Sequence, residues 1–107
     1  MSIIDLTDNA EFNEFINKSN KPIVVDFFTP TCGPCKSLAM FIDKLSNEYA
    51  DKLEFCKVDV SKRDDLQEQL NVQTVPCVVC FNNGFEIARI VGNNQAKVKE
   101  IVEFLAR

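Results

Sequence analysis

Residues 23–28 read Ile-Val-Val-Asp-Phe-Phe, opened by Pro22 and followed at once by Thr-Pro-Thr-Cys-Gly-Pro-Cys-Lys over residues 29–36. An extended run that is apolar on both of its faces has no side to offer to water. It belongs in the middle of a sheet that is covered above and below. The chain has 107 residues, with 46% hydrophobic content and nine phenylalanines, which suffices for one such core and one domain over residues 1–107. The 26% of charged residues supplies the surface, and no segment has the composition of a disordered chain.

The pattern around that strand alternates between strand and helix periodicity. Ile3, Ile4, Asp5 and Leu6 form a short opening strand. Asp8 and Glu11 have the spacing of a capping box, and Phe12, Phe15 and Ile16 give the following helix one apolar stripe to about Lys18. Leu38, Phe41, Ile42, Leu45 and Tyr49 fall at three- and four-residue steps, so residues 36–49 are expected to be helical. Residues 53–60 alternate as a strand. Ser61 and Asp64 can cap a short helix through Leu70, stopped at Asn71. Residues 77–81 form another strand, and Asn82-Asn83-Gly84 is a hairpin turn leading into a strand over 85–91. A helix over 95–106 closes the chain, with Val98, Ile101, Val102 and Leu105 inward. The order β-α-β-α-β-α-β-β-α predicts an α/β fold: a central mixed sheet with helices on both faces and its last two strands antiparallel.

The formal net charge is −4, without histidine and without a cluster of Lys or Arg. A phosphate backbone is met by a basic face, so nucleic acid is not an expected partner. The first twelve residues carry Asp5, Asp8 and Glu11 and no basic residue, unlike a signal or transit peptide. Apolar runs of four to six residues are too short to cross a membrane. The expected setting is cytoplasmic and reducing. There, five cysteines are not expected to build a structural disulfide framework, which an odd count also fits poorly.

Two C-x-x-C spellings occur, Cys32/Cys35 and Cys77/Cys80. Alone, the spacing is shared by zinc knuckles, disulfides and redox pairs. The first pair sits between a buried strand and the first turn of an amphipathic helix, the layout of a redox motif. Pro34 suits the first helical position. Cys32 then lies just ahead of the helix, beside unpaired N–H groups whose dipole favours a thiolate, so Cys32 attacks and Cys35 resolves. A zinc site needs two further ligands. Cys77 and Cys80 cannot supply both, because three steps along a strand put their side chains on opposite faces. No metal is therefore expected.

Asp26 is a carboxylate within the apolar run. One reading places it near a strand end, reaching solvent or pairing with a lysine. The other is a buried carboxyl, its pKa raised by desolvation, that exchanges a proton with Cys35. Lys57 in the adjoining strand can partner it in either case. Thr74-Val75-Pro76 precedes the strand that holds Cys77. Pro76 either simply opens that strand or follows a cis bond, which would turn the Val75 backbone outward to pair with an extended peptide.

VVDFF, CGPCK, KVDV, TVP, NNG and Val91-Gly92 together resemble the thioredoxin family along essentially the whole chain. The match is nearer than to glutaredoxins or protein disulfide isomerases, whose C-x-x-C interiors usually differ from Gly-Pro. The resemblance implies a thioredoxin fold of about five strands with four helices and a cis bond before Pro76. It also implies a monomer that reduces protein disulfides, for example of peroxiredoxin type, through Cys32 and Cys35. It needs no cofactor beyond its own disulfide, with electrons from NADPH through a thioredoxin reductase. By the same resemblance Asp26 is the buried proton-transfer carboxyl, with Lys57 beside it. Gly33, Pro34, Val75, Pro76, Val91 and Gly92 map to a flat apolar rim that receives the target.

Three positions depart from the family. Thr31 and Phe28 stand where tryptophans are usual, leaving the rim smaller and more polar, and Met40 stands where a helix-kinking proline is usual. The remaining cysteines have their own expectations: Cys56 and Cys80 are interior strand positions, and Cys77, next to Pro76, is a candidate regulatory thiol. The competing readings are a thiol oxidase or isomerase, if the chain were exported, and a redox-sensing binding module that holds a partner through the CGPC and Pro76 face.

Overall fold

The computed structural model describes residues 3–8 and 10–107. Its elements run β1 (Ile3–Asp5), α1 (Phe12–Lys18), β2 (Ile23–Phe28), α2 (Gly33–Tyr49), β3 (Glu54–Asp59), a 3-10 turn (Val60–Lys62), α3 (Asp64–Gln69), β4 (Cys77–Asn82), β5 (Phe85–Val91) and α4 (Gln95–Leu105). The five strands form one sheet in the order β1-β3-β2-β4-β5. β1 and β2 both run parallel to β3, while β4 is antiparallel to β2 and β5 to β4. The strand that is apolar on both faces is thus the central one.

Alternation along the strands divides the core into two layers. On one face Ile23, Val25 and Phe27 of β2 pack with Phe12 and Ile16 of α1, Leu66 of α3, and Cys56, Val58, Cys77 and Val79. Phe12 meets both Phe27 and Phe81 with ring centroids 6.4 Å apart in tilted and edge-on geometry, arrangements that aromatic quadrupoles favour. On the other face Val24 packs with Leu38, Ile42 and Leu45 of α2 and Val98 and Val102 of α4, together with Phe55, Val78 and Cys80.

Several local devices close the fold. Asn83 and Gly84 take φ of 53° and 84°, the left-handed pair that a tight β4–β5 hairpin needs. Asn94 caps α4 by accepting from Lys97 N–H at 3.1 Å. Arg89 of β5 donates to the Leu70 and Asn71 carbonyls at 2.6 and 3.1 Å, holding the loop after α3 while pairing with Glu86 at 2.8 Å.

Two expected caps are not formed. Glu11 is the N-cap of α1 and not its third residue, with φ −101° and ψ 29° and no side-chain cap hydrogen bond. A capping box needs an extended N-cap backbone, so Asp8 and Glu11 do not make one. Similarly, α3 begins at Asp64 behind Arg63, which has no capping side-chain bond. Ser61 lies in the 3-10 turn and donates to Asp59 through its N–H (2.9 Å) and hydroxyl (2.6 Å). Arg63 instead reaches back to the Thr7 carbonyl at 3.3 Å, tying the chain start to the sheet.

Candidate active site

β2 ends at Phe28, and the chain turns through residues 29–32 into α2, which starts at Gly33 with Cys32 as its N-cap. Gly33 and Pro34 occupy the first two helical positions, one step later for Pro34 than its spelling suggests. The Cys32 backbone is extended, with φ −94° and ψ 112°. Its Sγ accepts a hydrogen bond from the Cys35 N–H at 3.1 Å. Sulfur thus fills the capping role that an oxygen usually plays, at a helix start whose unpaired N–H groups favour negative charge. Cys32 and Cys35 are joined as a disulfide with Cα atoms 5.2 Å apart. Cys32 is half-buried whereas Cys35 is only 2% exposed, so an incoming sulfur meets Cys32 first.

Asp26 lies on the α2 face of the central strand and is 4% exposed. Its Oδ1 has no hydrogen-bond partner. Burial pushes its carboxyl from 3.8 up to about 7, against the opposing charge of Lys57, the residue directly across from it on β3. Of the two sequence readings, the buried carboxyl matches this environment; a solvated surface aspartate does not.

Two cavities lie along one stripe of α2. A cavity of about 240 Å³ is lined by Phe28, Thr29, Pro30, Cys35, Lys36 and Ala39. A second, of about 300 Å³, is lined by Ile3, Asp26, Ala39, Met40, Asp43 and Lys57. Cys35, Ala39 and Asp43 are four residues apart in turn and so share a helix face. That face backs both Cys35 and the buried carboxyl. The sequence pattern alone does not assign Ala39 or Asp43 to the site, although stepping by four from Cys35 leads to both. A separate cleft of about 500 Å³, lined by Glu11, Phe15, Lys18 and Glu54 among others, contains none of the cysteines.

Two of the segments expected at the rim are joined by a hydrogen bond. The Val75–Pro76 peptide bond is cis, and the Pro76 carbonyl accepts from the Gly92 N–H at 2.9 Å. Gly92 has φ of 92°, a conformation that glycine adopts without steric cost. Val91, opposite Cys77 in the β4–β5 ladder, is exposed, as are Thr31, Gly33 and Pro34. Val75 is half-buried.

The second C-x-x-C divides between the two core layers. Cys77 belongs to the α1/α3 layer and Cys80 to the α2/α4 layer, so their side chains point apart. Cys77 is 1% exposed, and burial raises its thiol pKa. Burial pushes the Cys56 and Cys80 thiols up to about 12, with Glu54 and Glu86 adding to the effect. Such thiols are poor nucleophiles at neutral pH. Among the described residues, no helix is long and apolar enough to cross a membrane.

In sequence and in fold the chain is similar to known proteins. A family model described as Thioredoxin matches residues 3–107. Thioredoxin from Echinococcus granulosus is 41% identical over 86 residues, 80% of this chain and 79% of that protein. Thioredoxin-2 of Saccharomyces cerevisiae is 33% identical over 100 residues, 94% of this chain and 95% of that one. A chain from a structure concerned with thiol resolution in yeast mitochondrial 1-Cys peroxiredoxin via glutathione/thioredoxin systems superposes with a TM-score of 0.88. It is 32% identical, over 97% of this chain and 96% of that one.

Proposed function

This chain belongs to the thioredoxin family and is a thiol–disulfide oxidoreductase, and from that premise we propose how its own residues divide the work of reducing protein disulfides. The reading rests above all on the Cys35 N–H to Cys32 Sγ hydrogen bond at the helix start, which favours charge on the outer sulfur.

In the reduced protein the Cys32 thiolate attacks one sulfur of a target disulfide. An S–S bond forms between Cys32 and the target, the target's own S–S bond breaks, and its second sulfur leaves as a thiolate. Asp26 in its carboxylate form takes the Cys35 proton. The Cys35 thiolate then attacks Cys32 Sγ, closing the Cys32–Cys35 disulfide and releasing the first target sulfur. Two electrons have passed to the target. A carboxyl held at about 7 is matched to proton exchange near neutral pH. Lys57 tunes Asp26, and Thr31, Val75, Pro76, Val91 and Gly92 receive the target backbone, with Gly33 and Pro34 shaping the approach.

No cofactor beyond the protein's own disulfide enters this scheme. A thioredoxin reductase drawing on NADPH returns the two electrons. Targets of peroxiredoxin type are supported by the structural neighbour from the peroxiredoxin system. A cytoplasmic or other reducing setting suits a chain with three unpaired thiols, Cys56, Cys77 and Cys80.

The test is dithiothreitol-driven reduction of insulin disulfides by the wild type, Cys32→Ser and Cys35→Ser. The expected outcome is turnover by the wild type alone, with Cys35→Ser trapping a mixed disulfide that Cys32→Ser cannot form. An inactive wild type would refute the reductase reading, and a trapped adduct on Cys32→Ser would reverse the two roles.

A further inference from the structure

The cavity over Asp26 contains one side chain that can itself be oxidised. Met40 is 71% exposed yet lines the same cavity of about 300 Å³ as Asp26. It therefore stands at the boundary between bulk water and a carboxyl whose Oδ1 has no hydrogen-bond partner. The chain contains only two methionines, and the other is the first residue.

We propose that Met40 is an oxidation site whose sulfoxide draws water into the mouth of the Asp26 cavity, so that a hydroperoxide acting on one exposed thioether resets the acid–base group beneath the disulfide. In the reaction the sulfur lone pair attacks the terminal peroxide oxygen. An S–O bond forms, the O–O bond breaks, and the displaced hydroxide or alkoxide takes the proton carried on the transferred oxygen and leaves as water or alcohol. Sulfur loses two electrons and the peroxide gains them. Methionine sulfoxide is returned to the thioether by dedicated reductases, so the change is reversible.

The physical consequence follows from what the cavity lacks. A thioether is a weak acceptor, and with Ile3 and Ala39 it makes the apolar part of a lining, shared with Asp43 and Lys57, around a carboxyl whose pKa burial raises. A sulfoxide oxygen is a strong acceptor and holds water. A volume of about 300 Å³ has room for several molecules at roughly 30 Å³ each. Water at the cavity mouth solvates the carboxylate better than the acid, so Asp26 ionises at lower pH. The charged groups that line the cavity with Asp26 are Lys57 from β3 and Asp43 from α2, while the Cys77 thiol of β4 feels Asp26 from the opposite layer of the sheet, and none of them changes in this reaction. The effect on turnover rests on the role proposed above for Asp26; the oxidation and the displaced ionisation do not.

The experiment uses the disulfide form, in which Cys32 and Cys35 are already paired. The wild type and Met40→Leu are treated with hydrogen peroxide, freed of oxidant, and mapped by peptide mass spectrometry. The ionisation of Asp26 is then followed by the carbon NMR shift of its carboxyl across pH. Met40 is expected to gain one oxygen, and the Asp26 midpoint to fall by about half a pH unit or more, roughly a threefold change in its ionisation constant. Treated Met40→Leu keeps the untreated midpoint, and Met40→Gln lowers it without peroxide. Resistance of Met40 to peroxide, a midpoint that stays or rises in the sulfoxide form, or an equal shift in Met40→Leu would each overturn the proposal. Because the titration reads Asp26 directly, it is decided separately from whether the protein reduces insulin.

Discussion

Replacing Asp26 by asparagine tests the energetic meaning of its burial. Desolvation carries the carboxyl from 3.8 to about 7 in the folded protein, with the Lys57 charge pulling the other way. Between those two values the native state holds a proton that the unfolded chain has released. The stability linked to this group is therefore fully present below about pH 4 and is lost as the pH rises through about 7. At about 1.4 kcal/mol per pH unit over roughly three units, the loss is on the order of 4 kcal/mol. That is a large part of the stability of about 5–15 kcal/mol typical of a domain. The asparagine side chain cannot ionise, so the variant lacks this decline. Its amide carries a pH-independent cost of about 1–3 kcal/mol for a buried polar group short of partners. The assay is urea unfolding of the disulfide form, followed by far-ultraviolet circular dichroism, for both proteins across pH. The chain has no histidine, the side chain whose ordinary pKa falls in the middle of this window, so the background is small. The stability of Asp26→Asn relative to wild type is expected to rise by about 3–4 kcal/mol between about pH 4 and about pH 8. A relative stability that stays flat within about 1 kcal/mol would show that Asp26 ionises in the native state as it does in the unfolded chain.

Three further outcomes are expected. Phe12→Ala removes the ring that joins Phe27 and Phe81 and should cost about 3–5 kcal/mol in denaturant unfolding; a loss under about 1 kcal/mol would mean the layer repacks around the gap. Gly84→Ala puts a Cβ on a residue with φ of 84°, against the Asn17 side chain, and should cost about 1–2 kcal/mol. Asn83→Gly at the neighbouring position of the turn should stay within about 0.5 kcal/mol of wild type, and equal losses for the two would refute the conformational reading. Cys77, buried in the α1/α3 layer, should resist iodoacetamide in the native reduced protein and react only in denaturant; rapid native alkylation would restore it as an accessible regulatory thiol.

Much of this structure is legible in the sequence because strand alternation carries so much of it. The two-faced apolar run predicts the central strand, and the same parity separates Cys77 from Cys80. The hairpin at Asn83-Gly84 follows from the need for two positive φ angles. Helix starts are less legible, since a cap depends on the backbone that leads into it. Asp8 and Glu11 have capping spacing, but Glu11 is the N-cap and is not extended. Asp59 shows the same limit from the other side: as a charged strand residue it gives no sign that its carboxylate will cap the turn at Ser61. At the site, Cys32, Cys35 and Asp26 stand out by residue type. Ala39 and Met40 do not, because an alanine and a methionine on an amphipathic helix look like ordinary packing until a cavity is seen behind them.

The layering also explains how five cysteines coexist in one redox protein. Thiol–disulfide exchange requires a thiolate with access to a sulfur. Cys56 and Cys77 lie in the layer opposite α2, behind the central strand, and Cys80 lies within the α2/α4 layer, opposite Val24. All three are fully buried, and burial raises each thiol's pKa. They therefore lack both the charge and the access that exchange needs. Cys32 differs on both counts, since it is half-buried and its sulfur receives an N–H from the helix start, which favours charge there. Selectivity among the thiols thus comes from burial in either layer of the sheet and from one helix terminus. Moving a cysteine by one strand position would transfer it to the other layer. Val78→Cys is the informative case, because Val78 pairs with Asp26 on the α2 face. In a Cys77→Val background, its new thiol would face the redox side of the sheet with the number of cysteines unchanged.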